Sequence, residues 1–89
     1  MKLVRKIKVK NDLGLHIRPA AAIVKILQAS KSSVFFIYKD DIINARSIMS
    51  ILTLVAKKNT KITITVEGED AIDTMKALID GFNKCFGEK

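Results

Sequence analysis

Cysteine occurs once in the 89 residues, as Cys85, proline once, as Pro19, and tryptophan not at all. A lone thiol forms no internal disulfide, and small scaffolds of oxidising compartments normally carry several. The chain therefore reads as cytoplasmic. One Cys and one His cannot supply the nitrogen and sulfur ligands of a zinc site, so no metal and no cofactor is expected. The longest apolar runs, Ala20 to Val24 and Val34 to Tyr38, fall far short of the roughly 20 residues that cross a bilayer. The N-terminus alternates lysine with aliphatics and has no apolar signal core, so a membrane is not an expected partner. Four glycines and one proline against 48% apolar residues exclude a disordered or fibrous chain. At this length a second core would leave each half too small to fold, and residues 1–89 read as a single domain.

Acidic residues are scarce as well. Sixteen Lys and Arg meet nine Asp and Glu, for a net charge of +7. Residues 1–66 hold 13 basic and 3 acidic side chains, whereas residues 67–89 hold 3 and 6. A positive face of this kind meets an acidic partner, either a protein or a polyphosphate.

The apolar residues that are present have readable periods. Leu3, Arg5, Ile7 and Val9, interleaved with Lys2, Val4, Lys6, Lys8 and Lys10, alternate as a strand with one solvated face. Asn11, Asp12 and Gly14 break it. A helix opens at His16 to Pro19 and carries Ala20, Ile23, Val24 and Leu27 at helical spacing to about Ala29. Val34 to Lys39, a turn at Asp40-Asp41, and Ile42 to Asn44 read as a hairpin. Ser47 caps a short helix whose stripe is Ile48, Ile51, Leu52 and Val55, ending near Ala56, with Ile51, Leu52 and Val55 expected in the core. Lys61 to Glu67 alternates without a fault. After Gly68, Asp70 and Asp73 place negative charge at the start of a helix facing inward through Ala71, Met75, Leu78, Ile79 and Phe82. The order βαββαβα, with amphipathic helices, predicts an α+β fold: two layers, helices on one face of a mostly antiparallel sheet.

Chemistry concentrates in Gly14-Leu15-His16-Ile17-Arg18-Pro19-Ala20. The segment sets the chain's only histidine at the mouth of a helix beside an arginine. A neutral imidazole nitrogen is a nucleophile near physiological pH, and the first N–H groups of a helix, here beginning at Ile17, have no intrahelical acceptors and favour an anion. Arg18 adds a permanently charged fork for phosphate oxygens. Pro19 sits in the first turn, where its missing N–H costs little. Taken alone, a single histidine is better explained as a surface or capping residue.

The segment resembles the active-site signature of the HPr family, the histidine-containing phosphocarriers of the bacterial phosphotransferase system, whose pattern is Gly-Leu-His-x-Arg-Pro-Ala. Length, element order and a second family motif, Ser47-Ile48-Met49, extend the resemblance over the whole chain. It implies an HPr-like open-faced β-sandwich, a four-stranded antiparallel sheet with three helices on one face. It also implies a carrier and not an enzyme: Enzyme I phosphorylates His16 on its δ nitrogen, Arg18 assists, and the phosphoryl group passes to an enzyme IIA domain. In some members the serine of the second motif is phosphorylated by an HPr kinase/phosphorylase, which makes Ser47 a regulatory candidate beside its capping role. Ile48, Met49 and Leu52, with Arg46 and Lys25 on a basic rim, are the implied partner-binding residues. A monomer suits a shuttle.

Other readings stay open beside this one. The same histidine chemistry serves a regulatory signalling protein, of a nitrogen branch or under kinase control, without sugar transport. A basic nucleic-acid-binding module is a more remote alternative, since Phe35, Phe36 and Tyr38 form no recognisable RNA-binding motif and no nucleic acid is expected. Lysines of the first strand suit a solvated face and a protected sheet edge. Cys85 reads as a partly buried structural thiol, having no neighbouring base. The chain departs from the family where glycines are common, in the turn Lys39-Asp40-Asp41 and in Thr53-Leu54-Val55. Asp40 or Asp41, and Asn59, are the residues expected to take left-handed conformations. The charge of +7 is also unusual, because many relatives are acidic or nearly neutral.

Overall fold

The computed structural model describes residues 1–88. The chain forms β1 (Lys2–Lys8), α1 (Ile17–Leu27), β2 (Ser33–Tyr38), β3 (Asp41–Asn44), α2 (Ile48–Thr53), β4 (Lys61–Glu67) and α3 (Ala71–Asn83), then a 3-10 turn over Cys85–Gly87. The strands make one antiparallel sheet in the order β1-β4-β2-β3. This is the α+β fold expected, with α1, α2 and α3 covering one face.

β4 is one of the two inner strands, paired with β1 and β2, and its alternation is complete. Ile62, Ile64 and Val66 are buried, and Thr63 and Thr65 lie on the open face. Its register sets Lys2 opposite Glu67 and Lys8 opposite Lys61 on one side, and Ser33 opposite Glu67 on the other. Lys2, Lys6 and Lys8 therefore share the open face with Lys61, while Leu3 and Ile7 face the helices. Arg5 belongs to the helix side of β1 yet remains exposed. It stands at a sheet edge, in a cleft with Leu3, Met75 and Ile79, where a long stem packs and its charged head stays in water.

The core lies between sheet and helices. Ala20, Ile23 and Leu27 of α1 and Met75, Leu78 and Phe82 of α3 meet Val34, Phe36 and the β4 aliphatics. Phe36 and Phe82 pack edge to face with ring centroids 5.9 Å apart. Burying each such side chain stabilises the fold by roughly 1.5–3 kcal/mol before the cost of ordering it.

The second helix differs from expectation. Ser47 does cap it, its Oγ accepting the Ser50 N–H at 3.2 Å. However, α2 stops at Thr53, and Leu54, rather than Val55, fills the core. Val55 adopts φ +48° and is 69% exposed, so it is a surface residue in a conformation rare for a β-branched side chain. In the hairpin turn it is Lys39, at φ +54°, and not Asp40 or Asp41, that goes left-handed. Asn59, at φ +75°, does so as expected.

Candidate functional site

The segment Asn11 to Leu15 turns the chain from β1 into α1. Gly14 has φ +69°, and a Cβ there would overlap the Ala56 carbonyl oxygen. Only glycine lets the two backbones approach, and the adjacent Leu15 N–H donates to that carbonyl at 2.8 Å. His16 follows as the N-cap residue of α1, with extended backbone and no side-chain cap bond. Its carbonyl accepts the Ala20 N–H, which leaves its imidazole projecting at the helix mouth, 29% exposed. Ile17 is exposed, Pro19 is buried in the first turn, and the Arg18 side chain is 79% exposed.

A residue that the sequence did not single out closes the site. Glu88 Oε1 lies 2.9 Å from His16 Nε2, and Glu88 Oε2 lies 3.8 Å from Arg18 Nε. Asn11 Nδ2 donates to Glu88 Oε1 at 3.0 Å and to the Cys85 carbonyl at 2.9 Å. Asn11 is fully buried. Burial opposes the charge of Glu88, but the hydrogen bonds from Asn11 and His16 and the charges of His16 and Arg18 outweigh it, holding the carboxyl below the usual glutamate value. Nothing in the sequence signals this contact, which joins residues 72 positions apart.

The expected partner-binding residues fall into two groups. Leu52, half-buried, lines a cleft with His16, Leu13, Val55 and Lys57. Leu13 at 78%, Met49 at 72% and Ile17 at 62% exposure extend the apolar surface around it. Leu13 and Val55 were not foreseen, although the glycine departure at Thr53-Leu54-Val55 pointed to an irregular backbone there. Ile48 is half-buried beside the capping Ser47, also half-buried. Lys25 is exposed in the last turn of α1, about 13 Å along the helix axis from His16.

Arg46 has another employment. Its Nη1 donates to the Leu27 carbonyl at 2.7 Å, and its Nη2 to the carbonyls of Ser30 at 2.8 Å and Ser32 at 2.7 Å. The fork ties the start of α2 to the end of α1, so Arg46 is not a loose charge on the rim. Lys58 and Asp12 form an ion pair at 2.7 Å, whose hydrogen bond and charge raise the Lys58 pKa. Cys85 is half-buried, as expected.

The arrangement presents a nucleophilic nitrogen and an exposed guanidinium at a helix mouth, inside an apolar rim. It suits transient transfer of an anionic group to and from another protein, because the site is shallow and open on one side.

The family model for the PTS HPr component phosphorylation site matches residues 3–84. The phosphocarrier protein HPr of Chlamydia muridarum is 41% identical over 80 residues, covering 90% of this chain and 77% of that protein. The HPr of Neisseria meningitidis serogroup B is 36% identical over 86 residues, covering 97% of each. A crystal structure of HPr from Thermoanaerobacter tengcongensis superposes with a TM-score of 0.92 at 33% identity, covering 98% of each chain.

Proposed function

The chain belongs to the HPr family of the phosphotransferase system, and we propose from this that it is the phosphocarrier that accepts a phosphoryl group from phospho-Enzyme I on His16 and passes it to an enzyme IIA domain for sugar uptake. The observation that carries the reading is the placement of His16 and Arg18 at the opening turn of α1, half-exposed imidazole beside exposed guanidinium. Transfer of a phosphoryl group demands in-line positioning and charge stabilisation more than covalent chemistry from the protein. Arg18 supplies charge, the N–H groups at the mouth of α1 supply donors, and openness allows the group to leave again. The apolar surface of Leu13, Ile17, Met49 and Val55 receives the partner proteins, and an adaptable Met suits a surface that fits more than one.

Ser47 is the second phosphorylation site in this reading, as the substrate of an HPr kinase/phosphorylase. A phosphate there adds negative charge beside Met49 and weakens docking of Enzyme I. The carrier works as a single domain over residues 1–89, as a cytoplasmic monomer.

The test mixes the protein with phosphoenolpyruvate, Mg²⁺ and Enzyme I and follows intact mass. One acid-labile phosphoryl group is expected on the wild type and none on His16→Ala, whose circular dichroism should match the wild type. Labelling that persists in the variant defeats the assignment of His16.

A further inference from the structure

We propose that Glu88 is a positioning residue that holds the proton on Nε2 of His16 and thereby reserves Nδ1 for the phosphoryl group. The inference rests on the carrier reading and adds to it the residue that selects the reacting nitrogen.

An ionised carboxylate only accepts hydrogen bonds. With Glu88 Oε1 at 2.9 Å from His16 Nε2, that nitrogen must be the N–H, and a neutral ring then carries its lone pair on Nδ1. Among the described residues the one hydrogen bond to the imidazole is this one at Nε2. The same contact blocks Nε2 sterically, so a phosphoryl donor meets Nδ1.

The carboxylate is built into place. Cys85, Phe86 and Gly87 have φ of +53°, +50° and +84°, a run of left-handed residues that folds the chain back after α3. Left-handed geometry is unfavourable at a non-glycine residue, so something must hold it. Phe86 stacks edge to face on Phe82 at 4.9 Å between centroids, and it lies over Gly81, where any Cβ would overlap the ring. The Glu88 N–H donates to the Cys85 carbonyl at 2.9 Å. Finally the fully buried Asn11 amide grips both that carbonyl and Glu88 Oε1. Core, turn and buried amide together aim one carboxylate at one imidazole nitrogen.

The charged groups around the ring fit this role. Arg18 balances Glu88 from α1, Lys57 lines the cleft on the other side, and Lys58 is paired with Asp12. When zwitterionic phosphoramidate is the donor, the Nδ1 lone pair bonds phosphorus as the P–N bond breaks, and the nitrogen leaves as ammonia with the bonding pair. The proton on Nε2 stays. The ring becomes a phosphorylated imidazolium whose positive charge lies against Glu88.

The experiment uses the full chain with ¹⁵N-labelled histidine, as wild type, Glu88→Gln and Glu88→Ala, with matching amide spectra as the control for folding. Long-range ¹H–¹⁵N spectra of neutral His16 report the tautomer, and the same spectra after phosphoramidate treatment report which nitrogen carries phosphorus. The wild type should show the Nε2–H tautomer and phosphorylation at Nδ1. Loss of a charge-assisted hydrogen bond should lower the tautomer ratio on the order of tenfold in Glu88→Ala, with part of the phosphoryl group now on Nε2. Glu88→Gln should fall between, since its amide can donate to Nε2 as well as accept. An unchanged tautomer and an unchanged nitrogen in both variants overturn the proposal. A shifted tautomer and nitrogen alongside a wild type that phospho-Enzyme I leaves unlabelled uphold the role of Glu88 and remove the carrier reading instead.

Discussion

At the scale of single residues, side chains of similar apparent character do different work. Arg18 and Arg46 are both arginines near helix starts. Arg18 makes one long contact to Glu88 and otherwise faces solvent, whereas Arg46 spans three carbonyls at the end of α1 and the approach to β2. Arg46→Ala should therefore lower stability by about 2 kcal/mol, the scale of hydrogen bonds from a charged donor whose acceptors are left unpaired. Arg46→Lys should recover only part, because an ammonium cannot reproduce the planar fork. Denaturant midpoints at constant m-value would check both, and an Arg46→Ala protein as stable as wild type would contradict the clamp. Val55 shows the opposite relation between sequence and role. Its position in an apolar stripe predicts burial, yet helix α2 ends before it and its left-handed backbone turns the side chain into the cleft beside His16.

At the scale of elements, junctions are secured by groups whose purpose is invisible in the periodic pattern. Asp70 is the residue before α3, where its charge alone suggests a helix cap. Instead its carboxylate reaches across to the segment before β2, accepting from the Lys31 N–H at 2.8 Å and from the hydroxyls of Ser32 and Ser30. Those bonds, from Ser32 foremost and then Lys31, outweigh desolvation and lower the Asp70 pKa from its ordinary 3.8. A group with a depressed folded pKa contributes stability that is present above the unfolded value and is lost as pH falls through the folded one. The wild type should thus lose stability progressively below about pH 4, and Asp70→Asn should lose less over that window because one contribution is already gone. Thermal unfolding between pH 7 and pH 3 would show this, and parallel curves for the two proteins would refute it. The turn over Cys85–Gly87 is the same kind of junction. Gly81 of α3 lies under the Phe86 ring, where a side chain would clash.

Over the whole molecule, the lysine cluster of the sheet stands apart from the histidine. Lys2, Lys6, Lys8 and Lys61 stand on the open face of the sheet, while His16 lies where the loop after β1 meets α1, α2 and the turn after α3. On the carrier reading, the net charge of +7 should act as a long-range field that speeds encounter with acidic partners, and the apolar rim should supply contact. Association with Enzyme I should slow several-fold between about 0.05 and 0.5 M salt while dissociation changes less, since the Debye length falls well below 10 Å over that range. Stopped-flow rates that do not vary with salt would show that the charge serves something else. The element order and the layering were legible in the sequence, and His16 with Arg18 stood out as a candidate pair, because strand and helix periods, a lone histidine and an arginine two residues on are local patterns. The cap at Ser47 and the left-handed turn at Asn59 were legible there too. That Glu88 faces His16, that Asn11 steadies it, that Arg46 is a clamp and that Val55 is exposed emerges from the folded chain alone. Each of these depends on chain segments distant in sequence arriving at one place, and packing, rather than periodicity, decides where they meet.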